Sequence, residues 1–237
     1  MTRRAFLRSA ALLAPTLFLV GCGQLKLGRQ PLTTCVLIDR SGSVSPADRA
    51  IYIETLETLG TQLEGGDRLM IGALGDGGRQ DFRALLDVTV ETRSARLDQD
   101  DAIKAARAKV AQAIPTLMPA NTVGTAASTR IVETIAAAAQ AFGNPPKAGN
   151  RLLLLSDAVE DSPIVRLSRS TDNKAILAAL DHARRLGMLP DLHGVELSVI
   201  GAGGAHYADV DAFWRGYSTA TGATIVTYGR LPYRATS

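Results

Sequence analysis

The chain has 237 residues, a length typical of one large domain or two small ones. Hydrophobic residues make up 46% and charged residues 21%, which is ordinary for a globular protein and too apolar for a disordered one. Subtracting Arg3, Arg4 and Arg8 from the 26 basic residues leaves 23, equal to the 23 acidic residues. The net charge of +3 therefore belongs to the N-terminus. Together with an aromatic content of only 5%, this argues against nucleic-acid binding.

The first 22 residues have the three-part layout of a secretory signal. An arginine pair precedes an apolar stretch from Ala10 to Val20, which is too short to span a bilayer. The ending Leu19-Val20-Gly21-Cys22 resembles the lipobox of bacterial lipoproteins, in which the cysteine is acylated and becomes the first mature residue. We therefore predict a lipoprotein signal peptide over residues 1–22 with lipidation at Cys22, followed by a tether over residues 23–33.

The segment Thr2–Arg8 also resembles a twin-arginine export motif, because its arginine pair is followed by one spacer and then Phe-Leu. An ordinary Sec signal with adjacent charges is the alternative. Either route predicts a lipid-anchored protein of the bacterial cell envelope, on the periplasmic face of the outer or inner membrane, and Gly23 mildly favours the outer membrane.

Only Cys35 remains after Cys22, so we expect no internal disulfide and a buried core thiol at Cys35.

The first half of the chain begins with an apolar run from Thr34 to Ile38, typical of a strand buried on both faces. Ser45 as N-cap and Pro46 at the first helical position predict a helix that ends at Gly65-Gly66. Two strand-like runs follow, over 68–74 and 85–90. The turn sequence between them, residues 75–78, predicts a hairpin. A helical stretch then covers residues 97–117.

In the second half of the chain, predicted helices and strands alternate regularly. An amphipathic helix follows Ser128-Thr129 and ends at Gly143, and four leucines form a strand over 151–155. The remaining predicted elements are a helix over 174–186, a strand over 195–200, a helix ending at Gly222 and a strand over 224–228. This order predicts one α/β domain over residues 34–231, with a doubly wound, mostly parallel sheet and helices on both faces, and a tail over 232–237.

Three polar clusters follow predicted strands or open a predicted helix. They are Asp39-Arg40-Ser41-Gly42-Ser43, Ser128-Thr129, and Asp157. Folds of this class bind ligands outside the carboxyl ends of their strands. Asp39, Ser41 and Ser43 alternate, so an extended loop can point their oxygens to one side. With Thr129 and Asp157 they offer two carboxylates and three hydroxyls but no His or Cys, a donor set that suits Mg²⁺ or Mn²⁺ rather than zinc.

Two carboxylates around a dication leave the site near neutral, since hydroxyls add no charge. The metal can then attract one more anionic ligand, such as an acidic side chain of a protein partner. A further protein carboxylate at the site would weaken that attraction. The sequence therefore predicts a binding module that uses a divalent metal, and the absence of a visible nucleophile–base pair leads us to expect no catalysis.

The strand leading into Asp-x-Ser-x-Ser, the later Thr and the Asp after the leucine strand together resemble the von Willebrand factor type A (VWA) domain. The resemblance covers about residues 34–231 and implies that family's metal-ion-dependent adhesion site. Ser41, Ser43 and Thr129 would coordinate directly, and Asp39 and Asp157 directly or through water. Two residues depart from the usual pattern, Ser128 and Ala158, where the family has glycine before the Thr and often after the last Asp. The helix over 97–117 is more chain than a minimal member of that family has between the hairpin and the Thr loop. It is either a packed helix or a partner-specific surface.

Other readings remain open. Asp39 with Mg²⁺ could serve as the nucleophile of a phosphatase-like hydrolase similar to the haloacid dehalogenases, although those need an Asp where Ser41 stands. A metal-free structural lipoprotein is a third possibility, and in it Asp39 and Ser43 would cap the first helix. His182, His193 and His206 lack metal-ligand spacing. Glu160 and Asp161 are expected in a solvated loop, with an acidic rim around the site as the alternative, and residues 201–204 are expected in a turn.

Overall fold

The computed structural model describes residues 29–41, 44–75, 78, 82–119, 129–164, 166–167, 172–203, 207–230 and 233. The predicted signal peptide with Cys22 lies outside these residues, as does most of the tether. Ser43, Ser128 and His206 also lie outside them.

Six strands form one sheet: β1 (Thr33–Asp39), β2 (Arg68–Leu74), β3 (Ala84–Thr89), β4 (Arg151–Leu155), β5 (Glu196–Ile200) and β6 (Thr224–Gly229). Their order across the sheet is β3-β2-β1-β4-β5-β6. All neighbours are parallel except β2 and β3, which pair antiparallel as the turn sequence between them predicts. The predicted doubly wound α/β fold is confirmed. Strand order reverses between β1 and β4. At this switch point such sheets leave a crevice for ligands.

The helices are α1 (Pro46–Thr61), α2 (Arg96–Leu117), α3 (Ile131–Ala138), α4 (Asn173–Arg185) and α5 (Tyr207–Thr221), with a 3₁₀ turn at Ala139–Phe142. They cover the sheet on both faces. One apolar layer joins α1 and α2 to the sheet, and a second joins α3, α4 and α5 to the opposite face. In the described residues, no helix has both the length and the apolar character needed to cross a bilayer.

Local chemistry explains where α1 begins and how α2 packs. The Ser45 hydroxyl accepts a hydrogen bond from the Asp48 N–H at 3.1 Å, and Pro46 follows at the first position. Helix α2 buries a single stripe of side chains, Ala106, Val110, Ile114 and Leu117. It packs closely on α1 at Gly60, where an added Cβ would stand 3.0 Å from Val110. The helix is therefore packed along one face, with its other faces exposed.

The central strands have no contact with solvent over most of their length. Residues 35–38 of β1 and 152–155 of β4 are all completely buried. Such continuous apolar runs are expected where helices cover both faces of a parallel sheet. Cys35 is a buried free thiol, and burial raises its pKa to about 12. It is therefore an inert core residue, as predicted.

Candidate metal site

The two predicted carboxylates lie at the carboxyl ends of adjacent strands, on either side of the switch point. Asp39 is the last residue of β1 and is 3% exposed, and Asp157 follows β4. The hydroxyl of Ser156 lies 3.1 Å from Asp39 Oδ2 and 3.5 Å from Asp157 Oδ1. One hydroxyl carries one proton, so it can donate to only one of these carboxylates at a time. The two acidic groups are thus close together and share the Ser156 hydroxyl as a donor.

Backbone N–H groups fix the orientation of both carboxylates. The Ser41 N–H donates to Asp39 Oδ1 at 2.7 Å, and the Val159 N–H donates to Asp157 Oδ1 at 3.0 Å. The Ala158 N–H donates to the Ser156 hydroxyl at 3.1 Å. Each carboxylate oxygen can accept more than one hydrogen bond or metal contact, so these bonds orient the groups without exhausting them.

The local electrostatics favour a positive ion at this point. The pKa of Asp157 is raised, chiefly by burial and further by the charge of Asp39, against the lowering effect of the Val159 N–H. Behind them, burial and then the charges of Asp39, Asp48 and Asp157 raise the pKa of the Tyr52 hydroxyl. Negative charge therefore accumulates around the ends of β1 and β4. A cation between the carboxylates would relieve that repulsion.

Thr129 is held beside this crevice through its backbone. Its carbonyl accepts a hydrogen bond from the Asp161 N–H at 3.0 Å, in the loop that follows β4. The next residue, Arg130, donates its N–H to the carbonyl of Gly75 at 3.1 Å, just after β2. Since β1 lies between β2 and β4, these two bonds place residues 129–130 at the end of the sheet where Asp39 stands.

The predicted oxygen set is thus brought together in part. Asp39 and Asp157 share Ser156, Ser41 contacts Asp39 through its N–H, and Thr129 is tied to the loop after Asp157. The described residues contain no group of three or more His, Cys, Asp or Glu that could hold a metal. The predicted set has only two carboxylates and relies on hydroxyls. Its hard oxygen donors fit Mg²⁺ or Mn²⁺ by their chemistry.

The helix-cap alternative does not account for Asp39. Helix α1 is capped by Ser45, whereas the described hydrogen bonds of Asp39 go to the Ser41 N–H and the Ser156 hydroxyl. Ser156 is an addition to the predicted site, and it is completely buried. Its position directly before Asp157, at the end of the leucine strand, is the signal in the sequence that points to it.

A third carboxylate lies near the site and is neutralised by a distant arginine. Asp48, in the first turn of α1, accepts three hydrogen bonds of 2.6–2.8 Å from Arg230, which follows β6. Burial works against ionisation of Asp48, but the Ser45 hydroxyl and Arg230 outweigh it and lower the pKa. The two residues are 182 positions apart, and no local sequence pattern connects them.

Glu160 corrects the expectation of a solvated loop after Asp157. Its side chain is completely buried, and its Oε2 accepts the Ile131 N–H at 2.7 Å and the Val132 N–H at 3.0 Å. These are the first two residues of α3, whose own N-cap residue Arg130 makes no side-chain capping bond. A carboxylate suits a helix N-terminus because the N–H groups there lack partners and carry partial positive charge. Glu160 is therefore a cap supplied from another loop.

No protein-family model matches the chain, and no curated protein matches it. Among solved structures, it is similar to a von Willebrand factor type A structure from Catenulispora acidiphila, the family that the sequence motifs resemble. That match has 15% identity and a TM-score of 0.44, and it covers 84% of this chain and 38% of the other. The chain thus spans well under half of that structure.

Two other solved structures are similar. Manganese-loaded TRAP protein from Plasmodium vivax has 18% identity and a TM-score of 0.42, covering 80% of this chain and 63% of the other. The PilB minor pilin from Streptococcus sanguinis has 12% identity and a TM-score of 0.47, covering 86% and 58%. The fold assignment rests on the strand order of this chain itself.

Proposed function

We propose that this chain is a membrane-anchored lipoprotein of the bacterial envelope whose VWA-like domain binds a protein partner through Mg²⁺ or Mn²⁺. The ligands would come from Asp39, Ser41, Ser43, Thr129 and Asp157, and the anchor from acyl chains on Cys22. The observation that carries the metal site is the pairing of Asp39 and Asp157 across the switch point, where both contact the Ser156 hydroxyl.

The charge balance supports recognition of an acidic group. Asp39 and Asp157 offset the two charges of a bound dication, so one carboxylate from a partner can complete its coordination. Asp48 would add a third protein carboxylate, but Arg230 pairs with it through three hydrogen bonds. A bound metal would supply a Lewis-acidic attachment point for the partner carboxylate, and the five ligand residues of the chain would hold and orient the metal.

The hydrolase alternative has one observation in its favour. Arg40 and Arg49 line a narrow cleft with Asp39 beside the end of α2, and arginines bind phosphate well, but this cleft has no room for even a water molecule. Against it, Ser41 stands where the phosphatases need an acid. We therefore favour binding over catalysis. Steady turnover of an aryl phosphate that is lost in Asp39→Asn would establish the alternative.

Titration of the full chain in detergent with Mn²⁺ tests the metal site. Asp39→Ala and Asp157→Ala should each weaken binding at least about tenfold, or about 1.4 kcal/mol, because each removes one of two charges from the site. Asp87→Ala is the control, since Asp87 is an exposed carboxylate paired with Arg68 on the β2–β3 hairpin. Equal Mn²⁺ affinity in the wild type and Asp39→Ala would refute the site.

Binding of the partner should depend on the bound metal. An acidic partner captured from an envelope extract should elute when a chelator is added and should not bind Asp39→Ala. Capture that survives both treatments would show that the domain binds without the ion.

A further inference from the structure

The loop after β4 and the start of α3 are joined by a set of contacts that the proposed coordination does not itself require. Asp157 lies in the first segment and Thr129 lies two residues before α3. The Glu160 carboxylate accepts the first two N–H groups of α3. Next to it, the Asp161 N–H donates to the Thr129 carbonyl at 3.0 Å. The two segments that carry these predicted ligands therefore meet at residues 160–161.

The loop that carries Asp157 is itself rigidly held. The indole N–H of Trp214 donates to the Ala158 carbonyl at 2.9 Å, and the Leu167 N–H donates to the Glu160 carbonyl at 2.9 Å. Ala158 adopts a left-handed backbone with φ of 63°, a conformation that non-glycine residues adopt only when the surroundings impose it. The position of Glu160 relative to Asp157 is consequently fixed by several contacts on both sides.

The carboxylate of Glu160 contacts the start of α3 through backbone N–H groups. It is fully buried and three residues beyond Asp157, and its Oε2 is already shared by two backbone N–H groups. Metal sites depend on such outer groups, because residues that orient the ligands commonly change metal affinity 10- to 100-fold when they are altered.

We infer that Glu160 is a positioning residue of the proposed metal site, which sets the start of α3, and with it Thr129, against the loop that carries Asp157. This inference rests on the proposed function. It assigns to Glu160 control of the geometry between two ligands that come from separate elements. Loss of its carboxylate should therefore weaken metal binding by more than its effect on overall stability explains.

The test compares Glu160→Gln with Asp67→Asn in the full chain in detergent. Asp67 is a matched control because it is also a buried carboxylate that accepts two backbone N–H groups, from Leu32 and Glu64, but at the opposite end of the sheet. We expect Glu160→Gln to raise the Mn²⁺ dissociation constant at least about tenfold. Asp67→Asn also removes a pairing with Arg29, and it should leave the dissociation constant within about twofold whatever its effect on the melting temperature.

The outcomes separate the two claims. If Asp39→Ala loses Mn²⁺ binding while Glu160→Gln and Asp67→Asn bind it as the wild type does, the positioning role is refuted and the metal site stands. If the wild type itself binds no Mn²⁺, both are refuted. Equal loss of affinity in Glu160→Gln and Asp67→Asn would show that Glu160 acts only through stability.

A measurement on the wild type keeps the inference testable if Glu160→Gln does not fold. Saturating Mg²⁺ should slow hydrogen exchange at the Ile131 and Val132 amides, which donate to Glu160, at least about tenfold more than at the Leu32 amide, which donates to Asp67. Equal effects of Mg²⁺ at both ends of the sheet would overturn the positioning role.

Discussion

Gly201 shows how closely the backbone packs beneath the carboxylates. It follows β5 with a φ of 109°, and a Cβ added there would stand 2.4 Å from the Tyr52 hydroxyl oxygen and 2.8 Å from the Ser156 carbonyl oxygen. The sequence predicts a turn at this position, but it cannot show that the turn lies against the residue preceding Asp157. Only the approach of β5 to β4 in the sheet brings them into contact.

Replacing this glycine should damage the fold and the site together. Gly201→Ala combines an unfavourable backbone conformation with a clash against the main chain, so we expect a loss of about 3 kcal/mol in the free energy of unfolding. Gly187→Ala is the control, because Gly187 also has positive φ, 67°, but no neighbour within 4 Å of an added Cβ. It should cost about 1 kcal/mol. Urea unfolding measures both, and equal losses would contradict the proposed clash.

At the scale of elements, the sequence predicts strands and most helix ends well where the signals are local. Ser45 and Pro46 place the start of α1, and the glycine-rich turn identifies the β2–β3 hairpin. The start of α3 is different, because its cap is Glu160, about thirty positions away in the sequence. A contact of this kind depends on the packing of two loops, which no local pattern encodes.

The Arg230–Asp48 pair joins the segment after β6 to the first turn of α1, and it should tune the charge of the site. Arg230→Gln leaves Asp48 uncompensated near Asp157, so Mn²⁺ affinity should rise about threefold through the added negative charge. Capture of an acidic partner should fall, because the ion is then more fully neutralised by the protein. Titration measures the Mn²⁺ affinity, and metal-dependent capture measures binding of the acidic partner.

The control for that variant is Arg215→Gln. It breaks a similarly exposed pair, with Asp211 at 2.8 Å within α5, and adds the same net charge away from the carboxylates. If both variants change the Mn²⁺ affinity equally, the effect comes from overall charge. The claim that Asp48 acts through its nearness to the carboxylates is then refuted.

For the whole molecule, the doubly wound sheet follows from the alternation of strands and helices, and the location of the site follows from the polar residues after β1 and β4. Ser156, Glu160 and Arg230 could not be assigned their roles in the same way. Each acts across the sheet or between loops, so its role depends on three-dimensional neighbours such as Asp39, Ile131 and Asp48. The sequence predicts which elements form, whereas burial and charge pairing emerge from their packing.

The stability of the whole molecule should depend on the ionisation of Glu160. Burial raises its pKa to about 7, against the lowering effects of the Ser162 hydroxyl and the Val132 and Ile131 N–H groups, and Glu133 raises it further. The unfolded carboxyl titrates near 4.3. Between these two pH values the folded protein keeps a proton that the unfolded chain has released, so stability should fall as pH rises and level off above about 7.

Urea unfolding between pH 5 and 8 measures this dependence. Glu160→Gln should lack this pH-dependent contribution to the free energy of unfolding, because an amide does not titrate. Glu133 and Tyr217, whose ionisation is coupled to that of Glu160, both remain in that variant. An identical pH profile in the wild type and Glu160→Gln would contradict the assignment.

The chain enters β1 at the end of the sheet opposite Asp39. There Arg29 pairs with Glu64 and Asp67, and the Leu32 N–H donates to Asp67 at 3.0 Å. The proposed anchor at Cys22 would join the domain at this end, and the carboxylates lie at the other end of the seven residues of β1, about 23 Å along the strand. If the proposed acylation of Cys22 holds, the proposed ion lies at the end of the sheet away from the attachment point, where a partner can approach it from the aqueous side.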